Sequence, residues 1–265
     1  MYSTTYHRAA SVADAAKLVS LGDAKLLAGG MTLIPAMKTR LAAPSDLVDI
    51  GRIAALKGVK VSGATVTIGA GSTHAEVAAD AGLKAACPAL SRLAGMIGDP
   101  HVRNMGTIGG SIANNDPAAD YPAALLALAA TIVTDRREIA ADDFFTGQFE
   151  TALEEGEIIT AVRFTAPAKA AYEKFRNPAS RYAIVGVFVA KGDSGVRAAV
   201  TGAGDDGVFR SSEIEAALAN NFDPSALDGL SVPADSLMTD IHASAEYRAN
   251  LIVVMAKRAV ARANG

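Results

Sequence analysis

Cysteine is nearly absent. Cys87 is the only one in 265 residues. One thiol cannot close an internal disulfide, build a structural zinc site or hold an iron–sulfur cluster. Any such centre must therefore sit on another chain. Positive charge is not in excess either: 25 basic side chains face 28 acidic ones, for a net charge of −3. Nucleic-acid binding needs a basic footprint, and this composition offers none. Long apolar runs are missing as well. The longest, Pro122 to Val133, is about 12 residues, against the roughly 20 that cross a bilayer. The first residues, MYSTTYHRAASVADAA, lack the apolar stretch of a secretory signal. These absences predict a cytoplasmic protein with no transmembrane segment, in a reducing compartment. The four histidines, His7, His74, His101 and His242, show no HxH or HExxH spacing, which argues against a zinc site.

What the chain does have is apolar residues, 50% of the total. That is enough to core one large domain or two modest ones. The spacing predicts an amphipathic helix over 11–21, a strand over 25–28, a helix over 33–40 and a strand over 46–50, which together make a small βαβ unit. Strands at 59–62 and 65–70 turn on Gly63, followed by helices at 74–81 and 87–95. Residues 98–120 read as a loop, then come a helix over 121–130 and strands at 131–134 and 158–164. The small-residue segment Ala166-Pro167-Ala168 reads as a domain boundary. Beyond it, segments at 171–176, 183–191 and 196–201 suggest an antiparallel meander, with helices over 211–219 and 243–263. In the last helix Leu251, Val254, Met255 and Ala259 share a face, and Arg248, Lys257 and Arg262 fall elsewhere.

Two segments carry the chemistry. Ala28-Gly29-Gly30-Met31-Thr32 and Thr107-Ile108-Gly109-Gly110-Ser111-Ile112-Ala113-Asn114 each pair adjacent glycines with a nearby hydroxyl. Glycines let backbone N–H groups crowd one side of a loop with no Cβ in the way. Such concave N–H arrays bind phosphate. Two of them, far apart in sequence, suit the two ends of a pyrophosphate, and hence a dinucleotide. Either pair alone is equally well a turn. Asp120 suits either an N-cap or a bond to a ribityl or ribose hydroxyl. A competing motif, Gly202-Ala203-Gly204-Asp205-Asp206-Gly207, matches G-x-G-x-x-G. Its two internal aspartates would repel a pyrophosphate, its helix starts late, near Ser211, and the preceding segments look antiparallel, so it reads as a hairpin turn. His74 reads as a surface or helix-start residue, with a place near a cofactor as the alternative, Cys87 as core, and Lys174 as solvent-facing. Tyr182, before an apolar strand, reads as packing or as cover for a flat ring.

The stretches AGGMTLIP, VRNMGTIGGSIANNDPAAD, YEKFR and HASAEYR, in this order, resemble the FAD-binding medium subunits of molybdenum hydroxylases. That family includes the medium chain of aerobic carbon monoxide dehydrogenase and the flavin subunit of xanthine dehydrogenase. The resemblance implies an α+β fold. A two-lobed FAD-binding domain of the vanillyl-alcohol-oxidase (PCMH) type would span 1–166, with lobes of about 1–56 and 57–166, and a smaller α+β domain would span 167–265. It implies noncovalent FAD. The pyrophosphate would lie between Leu27, Ala28, Gly29, Gly30, Met31, Thr32, Leu33 and Ile34 on one side and Thr107, Gly109, Gly110, Ser111 and Asn114 on the other, with Thr73 and Ile159 nearby. Asp116 would also bind the cofactor, Asp120 would match the acidic residue near the ribityl chain, Lys174 would lie near the flavin, and Tyr182 would lie beside the isoalloxazine. No metal site is implied on this chain. Partners would be a small [2Fe–2S] subunit and a large molybdopterin subunit, arranged as a dimer of heterotrimers. Electrons would pass from the clusters to quinone, NAD or oxygen. An independent FAD oxidase would need a positioned base near the flavin, and none is apparent in the sequence. A non-catalytic assembly subunit would be expected to have lost the glycines that both segments retain.

Overall fold

The computed structural model describes residues 1–193 and 195–265. The first portion comprises β1 (Thr5–Arg8), α1 (Val12–Val19), β2 (Ala24–Leu27), α2 (Leu33–Lys38) and β3 (Asp46–Asp49). Its strands form a parallel sheet in the order β1-β3-β2. Parallel neighbours require a crossover, and α2 supplies it between β2 and β3. Ser11 caps α1 by accepting from the Asp14 N–H. The βαβ unit expected from the sequence is present, with the first glycine pair in its strand-to-helix turn.

The chain continues through β4 (Val59–Ser62), β5 (Thr65–Gly69), α3 (His74–Ala79), α4 (Ala81–Ala86), α5 (Pro88–Gly95), α6 (Pro100–Met105), α7 (Ile108–Asn114) and α8 (Asp120–Ala127). Then follow β6 (Thr131–Thr134), β7 (Glu138–Ala140), α9 (Ala141–Phe144), β8 (Phe145–Gly147), β9 (Glu150–Thr151) and β10 (Ile159–Thr165). Five of these strands make an antiparallel sheet ordered β4-β5-β10-β6-β7. Residues 98–120, expected as a loop, instead hold α6 and α7. Gly109 and Gly110, poor helix formers, mask α7, and α6 is only 6 residues long. Asp99 and Thr107 cap them by accepting from Val102 N–H and Gly110 N–H, and Pro100 sits at the first turn of α6, where its missing N–H costs nothing. The expected helix over 74–81 breaks at Asp80, which ends α3 and caps α4. All eight residues of α8 are buried, as befits a helix that is apolar nearly all round.

The last portion is β11 (Lys169–Arg176), β12 (Ala183–Gly192), β13 (Gly195–Gly204), β14 (Gly207–Arg210), α10 (Ser212–Asn220) and α11 (Ala245–Asn264). The four strands form an antiparallel sheet in chain order. Alternation along β12 sends Val185, Val187 and Val189 into one core, with Ile252 and Met255 of α11. It sends Phe188 and Ala190 into another, with Leu125 of α8. A strand buried on both faces reads as a continuous apolar run. Asp205 and Asp206 form the tip of the β13–β14 hairpin, with Gly204 opposite Gly207, so the G-x-G-x-x-G motif is a turn.

Candidate functional site

Gly29 packs directly on the chain just before the second glycine pair. A Cβ there would collide with the Met105 carbonyl and lie 2.9 Å from Gly106 Cα. The first glycine pair thus touches a stretch far away in sequence, with Gly106 directly before Thr107, the cap of α7. Gly30 has φ +71, a left-handed conformation that favours glycine. Among the described residues, none accepts from the N–H groups of Gly29, Gly30, Met31 or Thr32. The Thr32 hydroxyl makes no capping bond to α2, and Met31 and Thr32 are exposed. This is a run of uncommitted donors beside a helix start, an arrangement suited to an anion. Leu27 ends β2, and Leu33 and Ile34 open α2.

The second segment differs from the sequence expectation. Its glycines stand in the first turn of a helix, and most of their N–H groups are already used. Ile108 N–H donates to Ser72 O at 3.1 Å, Gly109 N–H to Ala70 O at 2.8 Å, and Gly110 N–H to Thr107 Oγ1 at 3.1 Å. The reason is docking: α7 lies against the end of β5, and a Cβ at Gly109 would come within 2.6 Å of Ala70 Cβ. What this segment offers outward is the exposed, side-chain-free Gly110 and the hydroxyl of Ser111, which bonds to no described residue. Asn114 is half-buried in the last turn of α7. Thr73 pairs with Thr107 as an isolated bridge and forms a capping box with Glu76, fixing the start of α3 beside the cap of α7. Ile159, buried at the start of β10, belongs to the same core as Ile108 and Ile112 of α7.

Beyond α7 lies a second group. Asn115, left-handed at φ 43, closes the helix, and its amide donates to Gly147 O and Glu150 O at 2.8 Å each. Asp116 Oδ1 accepts from Ala118 N–H, and burial holds the Asp116 carboxyl above its usual range. Asp120 is the first residue of α8, and Ala119 is the N-cap, so Asp120 caps nothing. Its carboxylate accepts from Tyr172 Oη at 2.5 Å and pairs with Lys174 Nζ at 2.9 Å. Burial pushes the Asp120 carboxyl upward, and the Lys174 charge opposes that shift. Lys174 is therefore not solvent-facing. Its side chain is 3% exposed, and its ammonium also reaches Met96 O. The partner 54 positions upstream could not be seen from local pattern. Tyr182 stands just before β12 and is 48% exposed, so it is not core packing. Partial burial, with Asp116 and Asp120 nearby, raises its phenol. The rest of α7, from Gly110 to Asn114, about 6 Å of helix, leads from the second glycine pair to this group.

Two other expectations change and one holds. His74 does start a helix, but it is buried, with Nδ1 unpartnered and its ring 5.4 Å from Tyr121. Burial, with the Arg103 charge nearby, lowers it to about 4. Arg248 of α11 is also buried. The Cys87 thiol is buried and pushed up to about 11, which fits a core residue and not a nucleophile. No group of His, Cys, Asp and Glu among the described residues could hold a metal ion. No helix there is long and apolar enough to cross a membrane.

A family profile described as "FAD binding domain in molybdopterin dehydrogenase" matches residues 2–167. The carbon monoxide dehydrogenase medium chain of Afipia carboxidovorans is 39% identical over 98% of this chain and 96% of its own. That of Hydrogenophaga pseudoflava is 36% identical over 96% and 95%. A solved carbon monoxide dehydrogenase from Hydrogenophaga pseudoflava, lacking the Mo-pyranopterin moiety of its cofactor, superposes with a TM-score of 0.89, covering 99% of this chain and 97% of that one.

Proposed function

This chain belongs to the family of FAD-binding domains of molybdopterin dehydrogenases, an oxidoreductase family, and on that premise we propose that it is the FAD-carrying electron-transfer subunit of a molybdenum hydroxylase complex of the carbon monoxide dehydrogenase kind. The observation that carries this is the contact of Gly29 with Met105 and Gly106, which lead directly into the second glycine segment, together with the uncommitted N–H groups of Gly29 to Thr32. Those donors, with the Thr32 and Ser111 hydroxyls, hold the pyrophosphate of noncovalently bound FAD. Gly110 leaves room for a phosphate oxygen. Leu27, Ala28, Leu33 and Ile34 shape one wall, and Thr73, Thr107, Gly109, Asn114 and Ile159 the other. Asp116, Asp120, Lys174 and Tyr182 form the flavin end. Lys174 and Tyr172 hold the Asp120 carboxylate, which keeps lone pairs for a ribityl hydroxyl, and Tyr182 covers the ring.

FAD supplies the redox chemistry when bound; the protein supplies position and electrostatics. Electrons arrive from [2Fe–2S] clusters of a small partner subunit, which receives them from a large molybdopterin subunit, and leave to quinone, NAD or oxygen. The complex is a cytoplasmic dimer of heterotrimers. Within the chain, 1–166 is a two-lobed domain of the PCMH type and 167–265 a smaller α+β domain.

The test of the cofactor site is FAD titration of the purified chain followed by acid precipitation. Saturable one-to-one binding with yellow supernatant is expected. Flavin retained in the pellet would contradict noncovalent binding, and no binding by folded chain would contradict the site.

A further inference from the structure

The closing motif HASAEYR contains Arg248, whose side chain is 2% exposed in the middle of the last portion. The β12–β13 ladder is regular up to Gly186 opposite Thr201. Past that pair the strands part. Gly202 turns left-handed at φ +80, where a Cβ would meet the carbonyls of Ala183 and Ile184. The carbonyls of Ile184 and Gly202 are then left on the same donor. Arg248 Nη1 lies 2.6 Å from Ile184 O and 2.5 Å from Gly202 O. Its other terminal nitrogen pairs with Asp240 at 2.7 Å. Asp240 in turn accepts from the N–H groups of His242 and Ala243.

Both carbonyls lead to the flavin end of the site. Ile184 is two residues after Tyr182. The Tyr182 turn closes with Asn177 N–H donating to Tyr182 O at 2.8 Å, and Arg181 within it is left-handed at φ 66. Gly202 N–H and Thr201 Oγ1 both donate to Pro117 O, and Thr201 Oγ1 also donates to Ala119 O. That holds the loop carrying Asp116 into Asp120. A planar guanidinium can bind two carbonyls and a carboxylate at once; an ammonium cannot hold the same fork.

We propose that Arg248 is a positioning residue: by clamping the Ile184 and Gly202 carbonyls it fixes the Tyr182 turn and the Asp116–Asp120 loop against the flavin ring. The proposal rests on the placement of Tyr182 beside the isoalloxazine.

The experiment compares Arg248→Lys, Arg248→Met and Tyr182→Ala in the full chain. Hydrogen exchange is read without FAD, and bound-flavin fluorescence and reoxidation rate are read with it. In Arg248→Lys, exchange at residues 177–184 should quicken about tenfold, as expected for loss of a charge-assisted bond, with residues 186–189 unchanged. Flavin fluorescence and reoxidation should move in the same direction as in Tyr182→Ala. The double variant Arg248→Lys with Tyr182→Ala should fall short of the sum of the two single effects. Arg248→Met should exceed Arg248→Lys in every readout; if it fails to fold, the lysine variant decides alone. A responsive Tyr182→Ala beside a silent or merely additive Arg248→Lys overturns the clamp. A silent Tyr182→Ala overturns the placement of Tyr182, and with it the proposal.

Discussion

Gly110 and Gly30 both border the proposed pyrophosphate site, yet they make unequal probes. Gly110 is exposed with an ordinary backbone, and an added Cβ meets only Thr107 Oγ1 at 3.0 Å. Gly110→Val should therefore change folding stability by no more than about 1 kcal/mol. It should weaken FAD binding by at least about tenfold for each charge-assisted bond it displaces. Gly30→Val should weaken FAD too, but at φ +71 it also costs roughly 1–2 kcal/mol in backbone strain. Gly204 is no neutral control, because a Cβ there would press on Gly207 O and the Phe209 ring. Gly192→Ala is better: its nearest neighbour, Pro167 Cα, is 3.8 Å away. Titration of FAD into Gly110→Val and Gly192→Ala separates the two; equal loss in both would contradict the site. His74 provides a pH test. Its folded value, about 4, lies below its ordinary 6.5. The unfolded chain thus binds the extra proton first, so the contribution is complete above pH 6.5 and is lost as pH falls toward 4. Denaturant unfolding across that window should show up to about 3 kcal/mol of lost stability, which His74→Gln should flatten. An unchanged profile in the variant would show that His74 is not buried neutral.

At the scale of elements, α7 is where sequence and structure part. The βαβ unit, the β4–β5 hairpin, the last meander and α11 were legible because each is built on its own period and turn residues. TIGGSIAN read as a loop because glycines disfavour helices. Its helix stands because Ala70 and Ser72 supply tertiary acceptors to its first turn, and no local pattern reports those. Lys174 and Arg248 were misplaced for the same reason, since Asp120 and the Ile184 and Gly202 carbonyls come from other elements. The glycine segments were found by composition; that one has free donors and the other spent ones was visible only in three dimensions. Gly109→Ala tests the docking. With Ala70 O 2.8 Å from the new Cβ, it should cost about 1–3 kcal/mol by overpacking, seen as a lower thermal midpoint. A midpoint equal to wild type would show that α7 does not seat closely on β5.

For the whole molecule, the single buried Cys87 excludes a cluster on this chain, and the described residues hold no metal-ligating group. In the proposed function the flavin exchanges electrons with a metal centre across an interface. The net charge of −3 makes association by bulk charge alone weak, so the contact should depend on specific surfaces and survive moderate salt. The most direct measurement is affinity purification of the chain from its native host at mild salt, with flavin, iron and molybdenum determined in every fraction that reduces the bound flavin on substrate addition. Substrate-linked flavin reduction should appear only where iron and molybdenum co-elute with the chain. Reduction in a fraction containing FAD and this chain, but neither metal, would contradict the account and identify an independent oxidase.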